Sequence, residues 1–401
     1  MKSAVDTRPA FAFLDGKSPN ELFAALPTPC YIIDESALMD NCKVLASVEK
    51  NTGCKILLAQ KAFSNFSFYP LLSEYLSGTE ASGLYEAKLG KEKMPGGEVH
   101  VFCTAYRQEE FDELLQYADH IVFNSIGQLK KFVIKAKDNG KSVGLRINPE
   151  CSTQKGHVLY DPCAVGSRLG VTREQWDRHM TDELLGLLDG VHFHTLCEQN
   201  ADALAITLSA VEEKFGDILP KVKWLNMGGG HHITRADYNI AGLEKCIQDA
   251  RKKWNVQVYL ELGEAVALNA GYLATRVLDL VENGGVKIAI LDASAACHMP
   301  DVIEMPYTPP LYSAGCDNLG QFVYRLGGPT CLAGDVIGDY AFSAPLREND
   351  LLLFGDMAIY TTCKNNTFNG IPLPNIWKRA ADGQLTKLTD FGYKDFEMRL
   401  G

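Results

Sequence analysis

The stretch "KILLAQKAFS" (residues 55–64) is an apolar, strand-like run that ends on a lysine. Lysine is rarely buried without a partner. Lys61 therefore has two readings: a strand-end amine reaching water along its aliphatic stem, or an amine held in a dry site for covalent chemistry. The run does not stand alone. Short apolar runs recur near 55–61, 79–82, 98–104, 120–124, 142–148, 190–195, 223–228 and 257–263. Between most of them lie segments with helical spacing, such as "SEYLSG", "QEEFDELLQYA", "IGQLKKFVIKAKDNG", "ADALAITLSAVEEKF" and "LEKCIQDARKKW". Strand-like runs alternating with helices predict parallel βα units, and about eight of them predict a closed (β/α)8 barrel. An open doubly wound sheet is the structural alternative.

Outside this region the pattern changes. "GYLATRVLDLVENGGVKIAILDAS" reads as two strands joined at "NGG", a hairpin signal. "QFVYRLGG", "AFSAPL", "DLLLFGD" and "MAIYTTC" continue as short strands. Residues 271–401 are thus expected to form a C-terminal β-domain. The extended "ALPTPCYIID" (25–34) suggests that residues 1–34 add a strand to it, leaving the barrel to residues 35–270.

The totals agree with two domains in 401 residues, with 46% hydrophobic content to build their cores. A net charge of −11 argues against nucleic acid and is compatible with a cationic ligand. The 12 cysteines show no C-x-x-C pairing, which reads as free thiols in a reducing cytoplasm. No apolar run reaches 18 residues, so no membrane span is expected, and the N-terminus lacks a secretory pattern.

In a parallel barrel, chemistry gathers at the carboxyl ends of the strands. Lys61 ends the first run, Glu80 and Ser82 the second, and Arg146 and Asn148 the fifth. His192 and His194 lie on the sixth, "NMGGGHH" (226–232) follows the seventh, and Glu261 and Glu264 end the eighth. Each has an ordinary reading. A tri-glycine is a tight turn before it is an anion cradle, although Gly228 to Gly230 leave backbone N–H groups open to a phosphate. The two histidines could suggest zinc, but the sequence shows no third convergent ligand, and no metal is expected. Taken together, a lysine, a glycine turn, a flat imidazole and a half-buried carboxylate are what pyridoxal 5'-phosphate needs.

The motifs "LLAQKAFSN", "HFHTLCE", "NMGGGHH", "LELGEA", "GGPTCLAGD" and "YTTCKNNTFNG" follow one another in order. From about residue 27 to about 376 the chain resembles the fold type III pyridoxal-phosphate decarboxylases, the group of ornithine and diaminopimelate decarboxylases. "GTEASGLYEAKLG", "HMPDVIEMPY" and "GPTCLAGDVIGDY" narrow the likeness to the carboxynorspermidine (carboxyspermidine) decarboxylases. The resemblance implies an alanine racemase-like barrel and the decarboxylation of a carboxylated polyamine to norspermidine or spermidine. It places Lys61 as the Schiff-base lysine, Glu80 behind the cofactor and His194 on the ring. Gly229 and Gly230 fall in the phosphate turn, with Arg146 and Tyr360 also at the cofactor. Glu261 would face the pyridine nitrogen. Cys331 matches a proton-donating cysteine that acts across a subunit boundary, which implies a homodimer with shared active sites. Glu264 and Asp301, and more weakly Asp335, fall where a polyamine would bind.

Three positions depart from the family pattern. The usual Glu-Pro-Gly is Glu261-Leu262-Gly263, which should loosen the turn. An arginine expected next is Glu264, and the acidic residue expected straight after the cysteine is Leu332. Both changes disfavour ornithine or diaminopimelate and favour a ligand with further positive charge. The alternatives are a diaminopimelate- or ornithine-type decarboxylase and a non-catalytic pyridoxal-phosphate-binding protein. The C-terminal motifs and the retained Lys61 and Cys331 speak against the second.

Overall fold

Each of the eight apolar runs forms a strand, and the strands close on themselves in the computed structural model, which describes residue 14 and residues 17–154, 161–312 and 321–401. Strand β1 (Cys30–Asp34) precedes the barrel in the chain and belongs to the other unit. The barrel consists of β2 (Lys55–Ala59), β3 (Gly78–Ala81), β4 (Glu98–Phe102), β5 (His120–Phe123), β6 (Ser142–Arg146), β7 (Gly190–His192), β8 (Trp224–Asn226) and β9 (Gln257–Leu262). All neighbours are parallel, and β9 returns to β2 with Leu57 opposite Glu261. These strands are buried on both faces, which is why they read as continuous apolar runs. The helices between them bury one stripe each. In Gln108–Tyr117 it is Phe111, Leu114 and Leu115; in Ile126–Asp138 it is Leu129, Phe132, Val133 and Ala136. Ser125 caps the second of these, its hydroxyl accepting the Gln128 N–H at 3.2 Å.

The amino-terminal end of the barrel is plugged by rings. His100 on β4 and His120 on β5 are paired in register and stack at 3.9 Å, with Tyr259 and Trp224 beside them. Trp224 fits because Gly144 and Gly190 have no side chains: a Cβ on Gly190 would lie 1.8 Å from the indole. The indole N–H donates to Ser142 Oγ at 2.9 Å. The barrel is therefore a packed core on this side, and the polar residues collect at the opposite end.

The barrel unit spans Met39–Val266, and the second unit combines Met1–Leu38 with Ala267–Gly401. Residues 1–13, 15 and 16 of the expected N-terminal segment lie outside the described residues. In the second unit, β10 (Gly271–Asn283) and β11 (Val286–Leu291) form the hairpin expected at "NGG", with Gly284 and Gly285 at φ +57° and +80°. They continue with β12 (Leu311–Tyr312), β13 (Phe322–Gly327), β14 (Val336–Phe342), β15 (Leu351–Gly355), β16 (Asn375–Arg379) and β17 (Leu385–Lys387). The sheet runs β14-β13-β11-β10-β1-β16-β17, and β15 pairs with β10 and β12. β1 lies antiparallel to β10 and parallel to β16. Phe23, Leu26, Ile32, Tyr272, Leu351 and Leu353 form the core on one face. Arg379 closes an ion pair at 2.7 Å on buried Asp34.

Two local expectations are corrected. "SEYLSG" is a turn; the helix before it is Tyr69–Leu72, started by Pro70 and ended by the close return of the chain into β3. "MAIYTTC" is no strand, because Tyr360 turns to φ +58° and opens a short helix at Thr361–Lys364. The described cysteines are all free, and no helix among the described residues is long and apolar enough to cross a membrane.

Substituting Gly190→Ala should destabilise the chain by about 1–3 kcal/mol in denaturant unfolding, because the indole has nowhere to move without disturbing the plug. Burial, and then His100, push the His120 imidazole down to about 3. Its folded pKa lies below the unfolded one, so the stability it supports is present above about pH 6.5 and lost as pH falls. The melting temperature should decline between about pH 6.5 and 4, and His120→Gln should flatten that decline.

Candidate active site

The eight strands aim their carboxyl ends at one set of polar side chains. Lys61 sits two residues beyond β2, in a turn closed by the Ala62 N–H on Ala59 carbonyl oxygen at 3.1 Å. Gly263 packs against that turn, where a Cβ would lie 2.5 Å from Ala62 Cβ. Leu262, where the family has proline, ends β9 in register with Leu58 and is buried. The Lys61 ammonium acts electrostatically on Glu80, Glu261, His192 and His194 together, so its charge lies among them.

Glu261 is 4% exposed and held from two sides. Asn226 Nδ2 donates to its Oε1 at 2.7 Å, and His192 Nε2 stands 3.2 Å from its Oε2. Burial opposes the carboxylate charge, but His192 and then Lys61 outweigh it and hold the carboxyl below its ordinary range. Glu80, on β3, goes the other way. Burial first and the Glu261 charge second push it well above the usual range, and its Oε2 has no hydrogen-bond partner. Two carboxyls in one dry site thus divide into an ionised and a protonated one. Arg146 lies buried beneath them, its guanidinium 4.7 Å from the centre of the Phe102 ring and donating to the His194 carbonyl oxygen at 3.0 Å. Burial lowers Arg146 to about 10, against the pull of Glu261.

The glycine turn is fixed to the same group. Asn226 Oδ1 accepts the Gly228 N–H at 2.9 Å, and the Glu261 N–H donates to Gly228 carbonyl oxygen at 2.9 Å. Gly228 and Gly230 take φ +68° and +80°. At Gly229 a Cβ would meet the Glu261 carbonyl oxygen at 2.1 Å, and at Gly230 the Leu196 carbonyl oxygen at 2.1 Å. Side chains are excluded here, which leaves backbone to face a ligand. His194 lies beyond β7 and not on it; its Nδ1 accepts the Gly229 N–H at 3.3 Å, which sets the ring against the turn.

Pyridoxal phosphate suits this donor set. Glu80 Oε2 and His192 Nδ1 are buried without hydrogen-bond partners, and the glycine turn is a cradle that any Cβ would fill. For zinc, Glu261 supplies the third convergent ligand that the sequence did not show: one ligand atom each from His192, His194 and Glu261 lies within 4.8 Å of the others. The Lys61 ammonium and the Arg146 guanidinium already bring positive charge there, which disfavours a further cation.

The remaining sequence candidates belong to the second unit. Cys331 is exposed, and its N–H donates to Asn369 Oδ1 at 2.9 Å. Asp301 opens the short helix Asp301–Glu304 and pairs with Lys364, which also reaches Glu304. Tyr360 holds a left-handed backbone at φ +58°, a strain of the kind that concentrates at functional positions. Asp335 is 4% exposed and fully committed inside the protein. It accepts the Ser294 hydroxyl at 2.9 and 3.0 Å, the Ala296 N–H at 3.1 Å and the Thr330 hydroxyl at 2.7 Å. These bonds engage Asp335, which the sequence reading gave to the substrate, within its own unit and tie the Cys331 turn to residues 294–296. Sequence reasoning missed Asn226 and His232, although both lie within "NMGGGHH", and it weighed His192 as a hydrogen-bonded core residue or a zinc ligand, not as the partner of Glu261.

The family described as "Pyridoxal-dependent decarboxylase, C-terminal sheet domain" matches residues 30–358. Over 388 residues the chain is 42% identical to the carboxynorspermidine/carboxyspermidine decarboxylase of Campylobacter jejuni, covering 94% of this chain and 99% of that relative. It is 39% identical over 383 residues to the carboxyaminopropylagmatine decarboxylase of Synechocystis sp., covering 95% and 97%. The crystal structure of carboxynorspermidine decarboxylase from Campylobacter jejuni, complexed with norspermidine, superposes with a TM-score of 0.85 at 41% identity, covering 93% of this chain and 100% of that one.

Glu80→Gln tests the division of charge between the two carboxyls. A carboxyl whose folded pKa is raised supports the fold below its unfolded pKa and loses that support as pH rises. The variant should melt above wild type at pH 8 and level with it at pH 4; a lower melting temperature at pH 8 would mean that Glu80 is charged in the folded protein.

Proposed function

The chain belongs to the pyridoxal-dependent decarboxylase family, and on that premise we propose that it removes CO2 from carboxynorspermidine or carboxyspermidine to give norspermidine or spermidine in polyamine biosynthesis. The observation that carries the reading is an ionised, buried Glu261 sharing one barrel mouth with the Lys61 amine. When bound, pyridoxal phosphate supplies an electron-poor ring that accepts the charge left at the α-carbon as CO2 departs.

The chain's own residues divide the remaining work. Lys61 Nζ would tether the cofactor, and Gly229 and Gly230 would shape the backbone cradle for its phosphate; the family resemblance adds Tyr360. His194 fixes the plane of the ring. Glu261 holds negative charge against the ring nitrogen, and Asn226 and His192 keep the carboxylate in place. Glu80, protonated, can donate a hydrogen bond without adding a second negative charge. Arg146 offsets the pair from below. By the family resemblance, Cys331 Sγ would supply a proton to the reacting carbon from across a subunit boundary, in a homodimer with shared sites; the exposure of this thiol is compatible with that reading.

Substrate choice follows from charge. Glu264 stands at the carboxyl end of β9, and its carboxylate suits a remote ammonium group of a polyamine, whose desolvation must be matched by opposite charge. The family resemblance gives Asp301 a like task, and in its own unit Asp301 is paired with Lys364. The Synechocystis relative is named for carboxyaminopropylagmatine, so this ligand belongs in the comparison.

Holoenzyme should show an absorption band in the visible that borohydride bleaches and Lys61→Ala abolishes. CO2 release should be highest with carboxynorspermidine or carboxyspermidine in a panel that also holds carboxyaminopropylagmatine, ornithine and diaminopimelate. Glu264→Gln should raise KM for the polyamine substrate roughly ten-fold, the range for losing a charged partner, with the cofactor band unchanged. Preference for ornithine or diaminopimelate would reject the substrate assignment.

A further inference from the structure

Glu264 does not stand alone in the barrel mouth. Its Oε2 lies 2.6 Å from Nε2 of His232, a residue only 7% exposed. The other ring nitrogen, Nδ1, is buried without a hydrogen-bond partner. Glu198, exposed in the loop after β7, completes the group: one polar atom of each of the three residues lies within 4.8 Å of the others. Three loops are tied together at this point. The Gln199 N–H donates to the Gly230 carbonyl oxygen at 2.9 Å, and Thr234 Oγ1 donates to the Ala265 carbonyl oxygen at 2.7 Å. The imidazole therefore sits where the loops after β7, β8 and β9 meet.

We propose that His232 is a positioning residue for substrate recognition: it fixes the Glu264 carboxylate and releases a proton when a remote ammonium of the substrate binds beside it. The proposal rests on the polyamine reading above and names how that site handles charge.

The groups that face His232 set its charge. Burial disfavours the imidazolium, but the hydrogen bond and charge of Glu264, and then Glu198, outweigh it, while Arg235 works the other way. The balance holds His232 above its ordinary value. The adjacent His231 is driven to about 4 by burial and stays neutral. His232 is thus shifted toward its protonated form, which sits against the Glu264 carboxylate. A ligand ammonium arriving at Glu264 and Glu198 meets a like charge there. Of the two ring protons, the one on Nδ1 is given up, since a buried N–H with no acceptor is the less stabilised, and it ends in bulk buffer. The Nε2–H keeps its bond to Glu264 and so keeps the carboxylate aimed. Binding thereby exchanges one positive charge for another, and raising the pH removes the competing proton beforehand.

The experiment is calorimetric titration of holoenzyme with norspermidine at pH 7 in two buffers of different ionisation heat, alongside KM and kcat for the decarboxylation. Wild type should release a fraction of a proton per ligand beyond that of His232→Gln. The glutamine keeps an N–H for Glu264 but cannot titrate, and its affinity should stay within about three-fold. His232→Ala should weaken binding roughly ten-fold and raise KM far more than it lowers kcat. Proton release by His232→Gln equal to wild type would overturn the proposal, as would unchanged binding by His232→Ala. If His232→Ala fails to fold, as judged by circular dichroism, His232→Gln alone decides. Glu264→Gln separates the two levels. If it loses norspermidine while the His232 variants match wild type, Glu264 keeps its role and the His232 proposal falls. If it binds norspermidine as wild type does, the placement of the polyamine at Glu264 falls, and the His232 proposal with it.

Discussion

A carboxylate kept ionised inside a dry barrel is the constraint on which the site depends. Moving a lone carboxylate out of water is so costly that it would take up a proton instead. Glu261 avoids this because Asn226, His192, Lys61 and Arg146 surround it. The same negative charge then forbids a second one nearby, and Glu80 is left protonated. One electrostatic decision thus fixes two neighbouring groups in opposite states, and no loop motion is needed to do so.

Steric constraints follow the same centre. Asn226 holds the Glu261 carboxylate with its Nδ2 and the glycine turn with its Oδ1, so the acid and the turn share one side chain. Gly229 and Gly230 admit no Cβ, and Gly263 lets the Lys61 turn come close to the end of β9. At the other end of the barrel, Gly144 and Gly190 make room for Trp224. The glycines thus serve opposite ends differently: backbone is bared to a ligand at one and a ring is accommodated at the other.

The barrel was legible because parallel strands buried on both faces leave uninterrupted apolar runs, and all eight runs became strands. Their ends were not, since strand termini depend on pairing partners; His194 therefore lies past β7 although its run reaches 195 in the sequence. "SEYLSG" failed because a short return into β3 overrides helical spacing, and "MAIYTTC" because a left-handed Tyr360 cannot be read from composition. The clustering of Lys61, Glu80, Arg146, His194 and Glu261 was legible from strand ends alone. The parts played by Asn226, His192 and His232 were not, because they come from contacts 32 to 69 residues away in the chain. Asp335 shows the converse: an acid that looked available in sequence is buried and engaged by Ser294, Ala296 and Thr330.

That engagement has a mechanical meaning. Ser294 both donates to Asp335 and caps the helix Ala295–His298 by accepting the Cys297 N–H at 3.0 Å. Thr330, one residue before Cys331, hangs from the same carboxylate. The thiol and that capped helix are therefore moored to a single post, and the segment that follows the helix leads directly to Asp301. A disturbance at either mooring is transmitted to the other through a hydrogen-bonded bracket instead of being absorbed by slack chain.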